Sequence, residues 1–156
     1  MTSLRGRAHI KIDPKGRLSL PTAFRSSLGK TKSAVITNGV FQGRRFLDFY
    51  PSAEWLKLEK KIAAMPALKS EVQVFQRFYL SSGEACDVDA QGRVLVPQHL
   101  REYAGLEDDI VLVGMGNKIE IWGANDWQDL FGRLEKDFEA AAEVLAGLEI
   151  SRGHKK

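Results

Sequence analysis

The sequence predicts an α+β fold of two tandem β-β-α-β-β-α halves related by a pseudo-twofold axis, and three observations carry that expectation. The first is a repeated motif. Residues 13–25 and 89–101 share the form Asp-x-x-Gly-Arg-x-x-x-Pro-x-x-x-Arg, with Asp89 standing 76 positions after Asp13. Apolar positions match as well: Leu18 with Val94, Leu20 with Val96, Phe24 with Leu100. Self-similarity at a fixed spacing decides the architecture before any local pattern does. The second observation is that the repeat continues. Gly29 aligns with Gly105 and residues 34–37 align with residues 110–113; beyond this the offset falls from 76 to 72, Trp55 falling on Trp127. Four extra residues therefore sit near Val40-Phe41-Gln42-Gly43, as an insertion at an exposed loop tip would. The third observation is that strand-like alternation and helical spacing follow each other in the same order in both halves.

The elements can be justified in turn. Ile10 and Ile12 alternate with His9 and Lys11, as in a strand with one buried face. Asp13-Pro14-Lys15-Gly16 has the chemistry of a tight turn: Asp bonds nearby backbone, Pro presets its dihedral and Gly accepts positive φ. Residues 17–20 are the return strand of that hairpin. Pro21 suits the first turn of a short helix over residues 22–28, with Gly29 placed to cap it. A second hairpin joins residues 34–37 to residues 46–50, and Asn38-Gly39 is its turn signal. A longer helix then puts Trp55, Leu58 and Ile62 on one face. Pro66 ends it, and Leu68, Val72, Phe75 and Tyr79 recur at helical spacing in a connector over residues 68–81. The second half opens with a strand over residues 84–88. It closes with a helix capped by Asn125, with Gln128 three residues on, and striped by Trp127, Leu130, Leu134, Phe138, Ala141 and Leu145. The expected division is a first repeat over 5–65, a helical connector over 66–82, a second repeat over 83–146 and a basic tail over 147–156.

Composition narrows the class. The chain has 156 residues and is 44% hydrophobic, enough for a core, but each half alone would be marginal in size. The halves are therefore expected to pack on each other or on neighbouring subunits. The single cysteine, Cys86, excludes an intramolecular disulfide and suits a reducing cytoplasm. No apolar run follows the charges at the start, so a signal peptide is not expected, and no stretch has the length of a membrane span. His9, His99 and His154 lack metal-ligand spacing, and no cofactor or small-molecule ligand is expected. Net charge is only +3, but Arg5, Arg7, Lys11, Lys15 and Arg17 crowd the amino end against Asp13.

That clustering points to double-stranded DNA. A rigid two-stranded ribbon fits the major groove, where arginine pairs with guanine O6 and N7 through two donors. The candidate DNA-binding residues are Lys15 and Arg17 in the first copy, Gln91 and Arg93 in the second, and Arg7 behind them. Lys15 and Arg17 carry two charges where Gln91 and Arg93 carry one, so the first copy is expected to contribute more phosphate attraction. Gly16 and Gly92 belong to the turns and would let backbone approach phosphate. Asp13 and Asp89 are expected to stabilise their own turns and orient the following arginine. Simple pairing of Arg17 and Arg93 with those acids is the competing structural reading. Arg25 and Arg101 are expected in structural ion pairs, and Trp55, Trp122 and Trp127 in a core or subunit interface. A catalytic Asp13–Asp89 dyad is disfavoured because each carboxylate has an arginine beside it, so no enzyme is expected. The alternative class is a non-catalytic protein-interaction module.

The Asp13-x-x-Gly16-Arg17 and Asp89-x-x-Gly92-Arg93 elements resemble the swapped-hairpin barrel of AbrB-type transcription factors. Two copies, together with Leu100-Arg101-Glu102-Tyr103-Ala104-Gly105-Leu106 and Ile119-Glu120-Ile121-Trp122, resemble the MraZ family of bacterial regulators over roughly residues 5–140. The resemblance implies a swapped-hairpin β-barrel with flanking helices. It also implies a sequence-specific, nucleoid-associated transcriptional regulator acting on its own operon promoter among division and cell-wall genes. A surplus of apolar helix surface and the same resemblance point to a head-to-tail homo-oligomeric ring on an operator of direct repeats.

Overall fold

The computed structural model describes residues 3–28, 30 and 32–154. The first half contains β1 (Arg7–Lys11), β2 (Arg17–Ser19), α1 (Thr22–Ser27), β3 (Ser33–Phe41), β4 (Arg44–Pro51) and α2 (Ser52–Ala63). A connector, α3 (Ser70–Phe75), runs on into a π-helical turn over Gln76–Leu80. The second half contains β5 (Glu84–Asp87), β6 (Arg93–Leu95), α4 (Gln98–Ala104), β7 (Asp109–Gly114), β8 (Ile119–Gly123) and α5 (Ala124–His154). The order of elements is the predicted one, and the α+β class with it.

The pairing of strands differs from two separate pairs of hairpins. Six strands form one antiparallel sheet in the order β1-β7-β8-β4-β3-β5, and β2 pairs with β6 in a separate two-stranded ribbon. Exchanging the two halves turns this order into its own reverse, so the topology has the expected pseudo-twofold character. The sheet is open, with β1 and β5 at its edges, and the closed barrel implied by the resemblance is not found.

The first hairpin also needs correcting. β1 does not pair with β2; it lies against β7, and β2 against β6. Only the turn itself closes, through Asp13 N–H to Arg17 O and Gly16 N–H to Asp13 O, both 2.9 Å. The physical reason lies in burial. Cross-pairing sets Leu18 opposite Val94, and both side chains are almost wholly removed from water. With Leu20, Phe24, Val96 and Leu100 they form one core from equivalent residues of both halves.

The second hairpin turns later than Asn38-Gly39. Those two residues lie inside β3, opposite Leu47 and Phe46, and the reversal occurs at Gln42-Gly43 with φ of 49° and 76°. This is the two-residue loop form whose left-handed dihedrals match strand twist. Within the strand Gly39 leaves room for the Phe46 ring, which occupies the place a Cβ would take, 2.6 Å from its Cε2. The four extra residues extend the hairpin by the rungs Val40–Arg45 and Phe41–Arg44.

Gly105 caps α4 in the left-handed region at φ 60°, whereas its counterpart Gly29 lies outside the described residues. The connector is helical from Ser70 rather than residue 68, and its wider π turn carries Tyr79 over the sheet. There Tyr79 donates to Asp48 Oδ2, Tyr50 and Tyr79 share a hydroxyl hydrogen bond of 2.7 Å, and Thr37 Oγ1 donates to Tyr79 O at 2.6 Å. Lys118 Nζ reaches Asp48 Oδ1 at 2.9 Å and Glu120 Oε2 at 3.7 Å.

The chain divides into two compact units, residues 1–124 and 125–156. The first holds all the strands. The second is α5, which begins at Ala124, so Asn125 lies in its first turn rather than capping it. The helix continues to His154 and leaves Phe138, Val144, Leu145 and Leu148 exposed. Trp55, Trp122 and Trp127 are all buried. Among the described residues no helix is long and apolar enough to cross a membrane.

Candidate nucleic-acid interface

The two motif turns are built alike, atom for atom. In the first, Asp13 Oδ1 accepts from the N–H of Lys15 (2.9 Å) and of Arg17 (2.8 Å), while Oδ2 accepts from Arg17 Nε at 2.9 Å. In the second, Asp89 Oδ1 accepts from the N–H of Gln91 (2.9 Å) and of Arg93 (2.8 Å), and Oδ2 from Arg93 Nε at 2.8 Å. One carboxylate thus organises three donors from the second and fourth residues after it. The backbone N–H of the arginine is the main influence holding each Asp below its ordinary carboxylate range, and the arginine side chain adds to it. Both acids remain ionised at neutral pH and the turns stay closed.

Gly16 and Gly92 have φ of 90° and 78°, a region that side chains with a Cβ rarely adopt. A second reason for glycine is crowding from the other half. A Cβ on Gly16 would stand 2.5 Å from Arg101 Nε and 2.8 Å from Val96 O. A Cβ on Gly92 would run into Arg25, at 2.7 Å from its Nε and closer still to its Cδ. Both glycines are buried as a result. The close approach that each allows within the protein is therefore to an arginine of the opposite half.

The outer face follows from strand alternation. In the β2–β6 ribbon Leu18 and Val94 point inward, so Arg17, Ser19, Arg93 and Leu95 point outward. Their register sets Arg17 opposite Leu95 and Ser19 opposite Arg93. A groove of about 600 Å³ beside the ribbon is lined by both Arg17 and Arg93, together with Lys11, Ser19 and Asp108. Because Asp13 and Asp89 engage each guanidinium through Nε, the outer Nη edges are held in fixed directions. Among the described residues Arg17 makes no further bond through them, and Arg93 adds only a 3.5 Å contact from Nη2 to Gln91 Oε1. Pairing with the acid and outward presentation are thus two aspects of one arrangement.

Lys15 and Gln91 are exposed at the turn tips. Arg7 is exposed at the far end of β1 and set opposite Val113, six residues and about 20 Å of strand from Asp13. The ribbon brings together Arg17 and Arg93, with Lys15 and Gln91 at its two turns, but not Arg7. Lys11 lies 3.3 Å from Asp109. Among the described residues Arg101 is in no ion pair: its Nε donates to Val96 O at 3.0 Å and its Nη1 to Pro14 O at 3.5 Å. Arg25 Nε is buried without a hydrogen-bond partner among the described residues. The recurrence of these two arginines is plain in the sequence, yet their reach to the opposite turn depends on cross-pairing that no local pattern announces.

Two copies of one carboxylate-fixed turn, each completed by the other half, define a duplicated α+β protein with a single composite polar face. A family model described as "MraZ protein, putative antitoxin-like" matches residues 4–78 and again residues 80–148. The chain belongs to the MraZ family. It is 42% identical over 145 residues to "Transcriptional regulator MraZ" of Heliobacterium modesticaldum, covering 93% of this chain and 98% of that one. Proteins of the same name from Pelotomaculum thermopropionicum and Natranaerobius thermophilus are 38% and 37% identical over 93% of this chain, covering 97% and 98% of theirs.

Proposed function

We propose that this protein is a non-catalytic, sequence-specific DNA-binding regulator of transcription that acts through the β2–β6 ribbon and its two turns. The observation that carries this reading is the orientation of Arg17 and Arg93: each is aimed outward by its own aspartate, on one exposed face. A guanidinium held by Nε still offers its outer edge to guanine O6 and N7. Lys15 would add phosphate attraction beside the first turn, and Gln91 a polar contact beside the second. Arg7, far along β1, would serve as an outlying backbone contact. The names of the relatives support the regulatory role. The promoter of the protein's own operon, in the division and cell-wall gene cluster, is the proposed target, and nucleoid association would follow from that.

The exposed apolar residues of α5, together with Leu68 and Val74 of the connector region, support assembly of several copies into a head-to-tail ring. Such a ring would present successive ribbons to direct repeats spaced about one turn, roughly 10 bp, apart. Footprinting on the protein's own upstream DNA tests the whole reading. Protected direct repeats, with affinity falling steeply as salt rises, are expected. Equal binding to unrelated DNA would defeat the regulator, while inverted half-sites or a monomer by light scattering would defeat the ring.

A further inference from the structure

We propose that Arg101 and Arg25 are positioning residues, each locking the DNA-reading turn of the opposite half: Arg101 the turn of Asp13 to Arg17, and Arg25 the turn of Asp89 to Arg93. The proposal rests on the DNA-binding reading above for its function, but its geometry does not. Arg101 starts from α4, bonds Val96 O through Nε and reaches Pro14 O through Nη1. Its guanidinium fills the space over Gly16 where any other residue would place a Cβ. Val96 N–H also donates to Gly16 O at 2.8 Å, so strand, arginine and turn close on one another. The mirror arrangement holds Gly92. Leu20 N–H donates to Gly92 O at 2.9 Å, and the Arg25 stem and guanidinium cover the glycine.

The two locks differ in strength. Arg101 donates to Val96 O at 3.0 Å and makes a longer 3.5 Å contact with Pro14 O, whereas Arg25 Nε is buried with no partner among the described residues and acts by packing. The first turn, which carries Lys15 and Arg17, is the more firmly held. Each arginine also governs only one turn, so the contacts of the first half depend on α4 and those of the second on α1. A lone half would present its turn unlocked.

Double-mutant cycles on the full-length protein test this, with binding to an upstream operator fragment as one readout. Arg101→Met keeps the apolar stem and removes the carbonyl bridge, and should weaken binding by about tenfold. In an Arg17→Ala background the same change should add less than about twofold, whereas beside Arg93→Ala it should keep its full effect. Arg25→Met should show the opposite pattern. The second readout needs no DNA. Amide exchange at Gly16 and Val96 should accelerate in Arg101→Met and not in Arg25→Met, which should instead affect Gly92 and Leu20. Arg101→Lys, which keeps the charge and stem, provides the same exchange measurement if the methionine variant does not fold. Unchanged exchange at Gly16 and Val96 overturns the proposal. So does full additivity with Arg17→Ala accompanied by a salt slope lowered by about one, the mark of a direct phosphate contact. If exchange changes as expected but neither Arg17→Ala nor Arg101→Met affects DNA binding, the locks stand and the DNA-binding reading falls.

Discussion

Asp48 and Glu120 stand directly opposite each other in the β4–β8 ladder, and they are the same position of the two halves. Two like charges facing across antiparallel strands repel, and burial makes each more costly. Lys118 resolves the conflict by placing one ammonium within reach of both carboxylates. Burial is the chief reason that Asp48 and Glu120 sit above their ordinary values. The two acids hold Lys118 above its own value despite burial.

Removing the ammonium should therefore be severe. Lys118→Met leaves two facing carboxylates buried without a cation and should cost about 3–5 kcal/mol of stability. Urea unfolding of the variant beside the parent measures this. A loss under about 1 kcal/mol would mean that the cluster relaxes into water.

Asp48 also sets a pH dependence. Its folded-state value is raised, so its contribution is complete below the unfolded value of 3.8 and is lost as pH rises through the folded value. Glu120 acts in the same sense from 4.5 upward. Asp13 and Asp89, being lowered, act oppositely: their contribution is present above 3.8 and is lost as pH falls. Asp48→Asn should thus gain on the parent as pH rises above 3.8. Unfolding curves taken from pH 3.5 to 7 should diverge in that direction, and parallel curves would contradict the assignment.

Gly16→Val should damage both fold and binding. It imposes a left-handed dihedral on a β-branched residue and drives its Cβ into Arg101 and Val96 O. A loss of at least about 1–3 kcal/mol is expected from the backbone alone. Combining it with Arg101→Ala should recover only the part due to the arginine, a partition that thermal unfolding of the three variants would read.

Arg17→Ala touches no core residue and should weaken operator binding by about 1–3 kcal/mol while leaving the circular dichroism unchanged. Lys15→Ala should weaken binding to all DNA alike and lower the salt slope by about one. A shift in sequence preference from Lys15→Ala alone would reverse the two roles.

The duplication was legible because turns and helix starts demand particular residues, and Asp, Gly, Arg and Pro recur in register. The left-handed φ at Gly16 and Gly92 and the bond from each Asp to its Arg followed from that chemistry. The choice of strand partner was not legible. A three-residue strand such as β2 shows the same alternation whether it folds back on β1 or crosses to β6, and only the fit of Leu18 against Val94 decides. Asn38-Gly39 carries strong turn chemistry, but Gly39 lies in the strand, where it leaves room for the Phe46 ring, and Gln42-Gly43 takes the reversal. The Lys118 cluster had no local signature, because Asp48 comes from β4 while Lys118 stands just before β8 and Glu120 at its start, far along the chain. Arg25 and Arg101 were visible as repeated residues, but their targets emerge only once the halves interlock.

The crossed β2–β6 ribbon has an evolutionary consequence. In a dimer of identical subunits that traded strands this way, every substitution would appear at both turns, and the two turns could never differ. Fusing the halves into one polypeptide breaks that obligation. Lys15 now faces the world where its twin position holds Gln91, the Nε of the arginine over one turn is hydrogen-bonded while its twin's has no partner among the described residues, and one hairpin has grown two rungs. The shared core still ties the copies together, and its equivalent positions stay apolar while their side chains differ, as Leu18 does from Val94 and Phe24 from Leu100. Under the proposed DNA-binding role, a single chain would thereby present a lopsided face to a lopsided sequence, an option closed to a symmetric dimer.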